Sequence, residues 1–566
     1  MLVSFLIVVI TLYISMPNEQ TVAPYSNNTI ALVIKADLIN CGNTPPVVEK
    51  NQVLLPINMI KKYFDPNLLW DQKMHRIVTT SKDKVVKMSL NSINASVNNK
   101  PISSYVPAKL INGEIYMPIS FLKNIYGINI QNNTENKVIV IDYNQRKLKK
   151  GKVAEVVTYI RKNSSIKSPA VKKLILGDSL EIVNSYKGWF KVKTADGILG
   201  FIKAESLKVE TPVALKSKTN KGAGNKKINL VWDQSLSIEN LNKIDGVQIM
   251  SPTWFYVSDE NGTVKNRGAN LEYVKKAHQC GYKVWALVTN SFSPIISSRV
   301  LNDGALRDKV INQIVDYAKA YDLDGINIDF ENMRMKDREM FSQFVRELAP
   351  VLRAQGMVVS VDVGAPYGSE YFSGCYDRKA LAEIVDYVAL MTYDQHWNNC
   401  PYSGSVAQYS WVEDKLQATL EEVPPEKLLL GIPFYTRGWK EELDVNGSTK
   451  ITQYGVFTME AARAEVKANN ASVRWDNESG QYYAEYSKDN AVYKIWLEDE
   501  NSVNLKSSLV HKYNLAGVAI WQKVYGKPEA WNVLKTNLQK YRSYEEWIKG
   551  NKALYSRLNR FYLSKR

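Results

Sequence analysis

The chain is 566 residues long, 45% hydrophobic and 23% charged, with 73 basic against 57 acidic side chains and a formal net charge of +16. One hydrophobic core does not organise that length, and roughly 150 residues per domain predicts three or four domains. The balance of apolar and charged residues excludes a disordered chain and a multispan membrane protein.

Residues 1–15 (MLVSFLIVVITLYIS) carry no charge and are shorter than the ~20 apolar residues that span a bilayer. With the polar stretch to residue 28 they predict a signal peptide or N-terminal anchor, and so a secreted or extracytoplasmic protein held at the cell wall or membrane. Next, residues 53–64 (VLLPINMIKKYF) and 115–126 (IYMPISFLKNIY) repeat one pattern: strand, proline, amphipathic helix. Each is followed by a further strand, at 77–79 and 138–141, and NNKP at 98–101 and NGE at 112–114 mark turns. This duplicated α+β pattern over residues 29–145 resembles the copper amine oxidase N-terminal-like domain of bacterial envelope proteins. The resemblance implies either a wall-associating module or a spacer. It implies no copper, because His75 is the only histidine there.

From 152 to 210, short alternating strands punctuated by Gly177, Gly188 and Gly197 predict a small all-β barrel. Its segment SYKGWFKVKTADGILGFI, residues 185–202, resembles bacterial SH3-like domains, which implies attachment to cell wall. A lysine-rich linker is expected at 211–227. Basic charge also gathers at 146–152 and at 535–566, where a basic helical tail over 536–566 is expected, and such charge attracts polyanions. No zinc-finger spacing, RNP motif or basic heptad array accompanies it, so nucleic acid is not the expected partner. The alternatives are anionic wall polymers, reached through the N-terminal modules, and lysines that merely keep linkers solvated.

Residues 228–535 alternate apolar runs with amphipathic helices, which predicts a (β/α)8 TIM barrel. The eight expected strands lie at 228–232, 247–256, 284–288, 325–330, 358–363, 387–391, 428–434 and 517–521. An α+β insertion at about 440–513 separates the last two. Four histidines (75, 278, 396 and 511) show no metal-ligand spacing, and no cofactor is expected. The cysteines at 41, 280, 375 and 400 form no disulfide framework; one bridge between Cys375 and Cys400 is conceivable, and buried free thiols are the preferred reading.

In the fourth strand, DGINIDFE, strand alternation puts Asn327, Asp329 and Glu331 on one face and Ile326, Ile328 and Phe330 on the other. The apolar set meets the outer helices, so the polar row points into the barrel and climbs to its C-terminal rim, where TIM-barrel active sites lie. Two carboxylates in a poorly solvated place resist being charged together, so one of them holds a proton near neutral pH. Glu331, nearer the rim, is the natural proton donor.

DGINIDFE resembles the family 18 glycoside hydrolase motif D-G-x-[DN]-x-D-x-E, with Asn327 in a slot often occupied by Asp. An amide there donates a hydrogen bond but cannot take the proton. MTYDQHW at 391–397 resembles the M-x-Y-D segment of the family, and GVAIWQK at 517–523 its sugar-stacking tryptophan. GIPFYTRGW at 431–439 adds Tyr435 and Arg437. The resemblance implies roles for these residues. Glu331 would be the acid/base, Asp329 and Tyr393 would orient a substrate acetamide, and Asn327 would complete the catalytic row. Met391, Asp394, Tyr435, Arg437 and Trp521 would bind sugar. It also implies substrate-assisted retaining hydrolysis of β-1,4-linked N-acetylglucosamine glycans. The modular architecture and TWFYV at 253–257 resemble the branch containing spore cortex-lytic N-acetylglucosaminidases, which favours peptidoglycan over chitin oligomers. A catalytically lost, lectin-like binder is the alternative of a different class.

Overall fold

The computed structural model describes residues 16–25, 29–144, 148–210, 227–239, 241–443 and 446–564. The apolar segment 1–15 and all but Lys227 of the expected basic linker lie outside the described residues. The chain divides into two compact units, Met1–Asn220 and Lys221–Arg566.

In the first unit the two sequence repeats meet each other. Strand Gln52–Pro56 leads into helix Ile57–Tyr63, and strand Glu114–Pro118 leads into a short 3-10 turn and helix Lys123–Tyr126. The strands pair antiparallel, Leu55 opposite Met117, and both residues enter the core shared by Leu32, Ile60, Ile77, Val86 and Ile139. The expected turns are two-residue hairpin turns, with Asn98, Asn99, Asn112 and Gly113 all at positive φ. That twist matches the flanking strands, and Asn and Gly tolerate it best. Seven strands between Lys149 and Val209 then form one sheet around Val153, Ile160, Leu174, Leu180, Val192 and Ile202. Gly177, Gly188 and Gly197 sit at its turns with positive φ, as their spacing predicted.

The second unit is built on eight parallel strands, labelled in chain order: β1 (Ile228–Asp233), β2 (Ile249–Pro252), β3 (Lys283–Thr289), β4 (Gly325–Asp329), β5 (Val358–Gly364), β6 (Tyr387–Met391), β7 (Leu428–Pro433) and β8 (Gly517–Trp521). Each pairs with its successor, and β8 pairs with β1, so the sheet closes. The expected second strand, 247–256, is broken in two. Pro252 has no N–H to donate, Trp254 N turns back to Pro252 O at 2.9 Å, and the second piece, Phe255–Val257, pairs with both β3 and an outer strand, Val264–Asn266.

Outward residues of β4 meet the helices: Phe330, just past the strand, stacks on Phe341 and Phe344 of helix Arg338–Arg353, with ring centroids 5.6 and 5.4 Å away. Inside, Leu230, Trp232, Ile249, Trp285, Leu287, Ala389, Leu429 and Ala519 make one apolar cluster. Gly325 makes room for it, since a Cβ there would lie 2.7 Å from the Trp285 ring and 2.6 Å from Val358 O. The bottom of the barrel is thus an apolar plug, which leaves polar inward side chains only toward the top.

Between β7 and β8 stands a five-stranded antiparallel sheet with helix Met459–Ala468 packed on it. It starts at strand Tyr435–Leu443, directly after β7, and ends at Ala491–Leu497. Helix Glu500–Lys512 then returns to pack on β7 and β8. All four cysteines are free thiols, Cys375 and Cys400 buried, so the conceivable bridge between those two is not formed.

Candidate active site

Every residue of β4 is buried, with Asn327 fully enclosed and Asp329 only 6% exposed, while Glu331 is half-buried just beyond the strand's end. What keeps Glu331 in the inward alternation after the ladder stops is a backbone clamp. Asn290, buried at the end of β3, accepts from Glu331 N at 3.0 Å and donates from Nδ2 to Glu331 O at 2.6 Å. The Tyr376 hydroxyl donates to the neighbouring Phe330 carbonyl at 2.9 Å. Asn332 then takes positive φ and turns the chain away.

Below, Asn327 is saturated. Its Oδ1 accepts from Trp232 Nε1 at 2.8 Å and Ser251 Oγ at 3.3 Å, and its Nδ2 donates to Ser360 Oγ at 3.0 Å and Asp362 Oδ1 at 2.7 Å. Both N–H bonds are therefore spent on β5, not on Asp329. Asp329 Oδ1 has no hydrogen-bond partner among the described residues, and its carboxyl is hydrogen-bonded to that of Glu331.

Burial pushes the Asp329 carboxyl up to about 7. Glu331 is held well above the usual carboxylate range by burial and then by repulsion from Asp329, Asp362 and Asp394. Asp362 is raised well above its ordinary value by burial and by Asp329. Burial and mutual repulsion thus hold all three carboxyls above their ordinary range, so the set resists carrying more than one negative charge.

The other expected residues stand around this row. Tyr393 follows β6, where Thr392 Oγ1 donates to Gly431 O at 2.6 Å, and its ring joins the interior apolar cluster. Its phenol is raised well above normal by burial and by the charges of Asp362, Glu331 and Asp329, so it is a neutral donor. Met391 is half-buried at the end of β6. Trp521, at the end of β8, lies 5.8 Å from Trp232, ring to ring. Lys523, two residues on, fixes that chain end through a buried ion pair with Asp233 at 2.9 Å.

Asp394, Tyr435 and Arg437 form a separate rim cluster. The Tyr435 hydroxyl and Arg437 Nη2 both donate to Asp394 Oδ1, the latter at 2.6 Å. Tyr435 and Arg437 belong to the first strand of the inserted sheet, so the insertion supplies this part of the mouth. An edge contact between Tyr393 and Tyr435, 6.4 Å between centroids, joins the rim to the row.

Asp362, Asn290 and Trp232 are the site residues that sequence reading passed over. Asp362 carried a signal: in VSVDVG, Ser360 and Asp362 alternate as polar residues within a strand otherwise made of valines. Asn290 carried none, since its role depends on where β3 ends beside β4.

The model of glycosyl hydrolases family 18 matches residues 209–525. The copper amine oxidase N-terminal domain matches 33–141, and the bacterial SH3 domain matches 156–208. The cortical fragment-lytic enzyme of Bacillus subtilis (strain 168) is 29% identical over 253 residues, 44% of this chain and 57% of that relative, so the chain spans little more than half of its length. An uncharacterized glycosylase of the same organism, YvbX, is 25% identical over 346 residues, 59% of this chain and 97% of the relative. Among solved structures, the C-terminal domain of a protein described as a chitinase from Desulfitobacterium hafniense DCB-2 aligns with a TM-score of 0.51 at 26% identity, covering 56% of this chain and 100% of that one. Since the family model extends over more than half of the residues and over the whole barrel to the end of β8, the chain belongs to the glycosyl hydrolases family 18.

Proposed function

We propose that the protein hydrolyses β-1,4 linkages of N-acetylglucosamine-containing glycan, peptidoglycan foremost, by substrate-assisted retention with Glu331 as acid and then base. One observation carries this reading: Glu331, half-buried at the mouth of the barrel with its backbone clamped by Asn290, stands two residues above the buried Asp329 on the same inward face, and burial raises both carboxyls. A proton donor with a raised pKa beside a carboxylate that ionises first is the pairing acid-catalysed glycoside cleavage requires.

In this scheme Glu331 passes its proton to the glycosidic oxygen as the bond to the anomeric carbon breaks. The oxygen of the substrate's 2-acetamido group attacks that carbon, and the resulting oxazolinium cation is balanced by the Asp329 anion. Tyr393, a neutral phenol, donates to the acetamide oxygen. Glu331, now a carboxylate, takes a proton from water as that water opens the ring with retention. Asp329 lies two residues deeper than Glu331 on the same face, which suits it to orient an acetamide and not to bond the sugar carbon. Trp521 offers an indole face to a pyranose ring, and Asp394, Tyr435 and Arg437 offer polar contacts to sugar hydroxyls.

The SH3 and copper amine oxidase N-terminal modules, together with the cortical fragment-lytic relative, support peptidoglycan as substrate and an extracytoplasmic, wall-associated location. A second reading, chitin oligomers, is favoured by the resemblance to the Desulfitobacterium domain. Incubating the parent and its Glu331→Gln variant with peptidoglycan and with chitin oligomers, and reading products by mass spectrometry, separates them. Fragments ending in N-acetylglucosamine are expected from peptidoglycan with the parent, and a loss of about 100-fold or more in rate with the variant. Equal binding by both proteins with no product from either would instead identify a lectin.

A further inference from the structure

Asn327 leaves a chemical gap that β5 fills. In the motif this slot often carries a second carboxyl next to Asp329, yet here it holds an amide whose two N–H groups are both committed to Ser360 and Asp362. The register of β4 on β5 places Asn327 opposite Ser360 and Ile328 opposite Val361. One residue further on, Asp329 and Asp362 stand level on adjacent strands, both facing the interior, where same-face neighbours lie roughly 5 Å apart. Asp362 is 1% exposed. Its neighbours from β4 are Asp329 and Glu331, and the phenols of Tyr376 and Tyr393 face it from the segments after β5 and β6.

Asn327 Nδ2 donates to Asp362 Oδ1 at 2.7 Å and cannot accept from it. Asp362 stands level with Asp329 on the adjacent strand, and Asp329 Oδ1 has no hydrogen-bond partner among the described residues. We propose that Asp362 is a positioning residue for the hydrolysis proposed above: it holds the proton beside Asp329 that an aspartate at position 327 would otherwise hold. The acid partner of Asp329 has thus moved from its own strand to the next. While the proton rests on Asp362, Asp329 is the anion that faces the substrate acetamide; when it passes to Asp329, Asp362 takes the charge. Only an O–H bond is exchanged, and no other group is consumed.

The proposal rests on the hydrolase reading, so its test uses one readout that needs no substrate. Three proteins are compared, all full length: parent, Asp362→Asn, and the double variant Asn327→Asp/Asp362→Asn, which moves the carboxyl back to β4 and preserves an acid–amide pair. Thermal melts establish that each is folded. With glycan substrate, Asp362→Asn is expected to lose about 100-fold in kcat with KM within about threefold, and the double variant to recover at least about tenfold of that loss. Without substrate, carboxyl carbon NMR is expected to show Glu331 titrating at lower pH in Asp362→Asn and shifting back up in the double variant. A folded Asp362→Asn with parental kcat and an unmoved Glu331 titration overturns the proposal. So does a folded double variant that recovers neither rate nor titration, which would leave Asp362 with a packing role alone. If Asp362→Asn does not fold, the double variant alone decides, through parental rate and titration or their loss. If the parent cleaves no glycan, the hydrolase reading fails, and the titration still reports whether Asp362 governs the charge on Glu331.

Discussion

At Asp329 the proposed chemistry and the stability of the fold oppose each other. Its folded carboxyl is raised from 3.8 to about 7 by burial, so folding favours the protonated form. Its contribution to stability is fully present below the unfolded value and is lost as pH rises through about 7, because the unfolded chain ionises first. The gap corresponds to a deficit on the order of 4 kcal/mol above that range. Asp329→Asn cannot ionise, so its stability relative to the parent is expected to grow as pH rises from about 4 to about 7 and then level off. Denaturant melts at several pH values check this; a difference that is flat with pH would contradict it. For the proposed hydrolysis the same residue must be charged while Glu331 is not. The rate on glycan is therefore expected to rise as Asp329 ionises and fall at higher pH as Glu331 loses its proton, a bell whose upper limb disappears from the residual activity of Glu331→Gln.

At the scale of elements, the inserted sheet is tied to the barrel by a buried network. Glu498, at the end of its last strand, pairs with Lys506 of helix Glu500–Lys512 at 2.6 Å, both side chains enclosed. Gln481 Nε2 and Ser502 Oγ also donate to Glu498, at 2.9 and 2.6 Å. Removing one partner of such a pair strands a desolvated charge. Lys506→Met is expected to cost about 3 kcal/mol, read by denaturant unfolding. The first strand of the same sheet carries Tyr435 and Arg437, so loosening it is expected to raise KM on glycan more than it lowers kcat. Arg307 and Glu347, enclosed between helices Gly304–Ala320 and Arg338–Arg353 at 3.1 Å, lie on the outer wall and serve as a control. Arg307→Met should destabilise to a similar extent without changing KM.

At the scale of the whole molecule, the excess of 16 positive charges is carried by a chain with a barrel unit and a separate unit bearing the two N-terminal modules. Interactions of exposed charge are screened over about 10 Å at 0.1 M salt. If the basic surface brings the protein to anionic wall polymer, retention on teichoic-acid-bearing peptidoglycan should fall about tenfold or more between low and high salt. Turnover of a short neutral oligosaccharide, which meets only the barrel mouth, should change by less than about twofold. A wall affinity that ignores salt would assign retention to uncharged contacts.

Much of this was legible without coordinates, because the informative patterns are local. The repeated strand–proline–helix segments, the Asn and Gly turns and the eight apolar runs report on neighbours within a few residues, where steric and hydrogen-bonding rules act directly. The alternation of Asn327, Asp329 and Glu331 is of the same kind: one strand, one face, one direction. What the sequence could not determine is which strands stand side by side and in what register. Asp362 became the neighbour of Asp329 only when β5 paired with β4, Asn290 the clamp of Glu331 only when β3 ended beside it, and Asp394 the partner of Arg437 only when the insertion folded over the rim. Those contacts join residues far apart along the chain, and closure of the barrel decides them, because only a closed sheet gives every strand its two partners and every inward side chain its level.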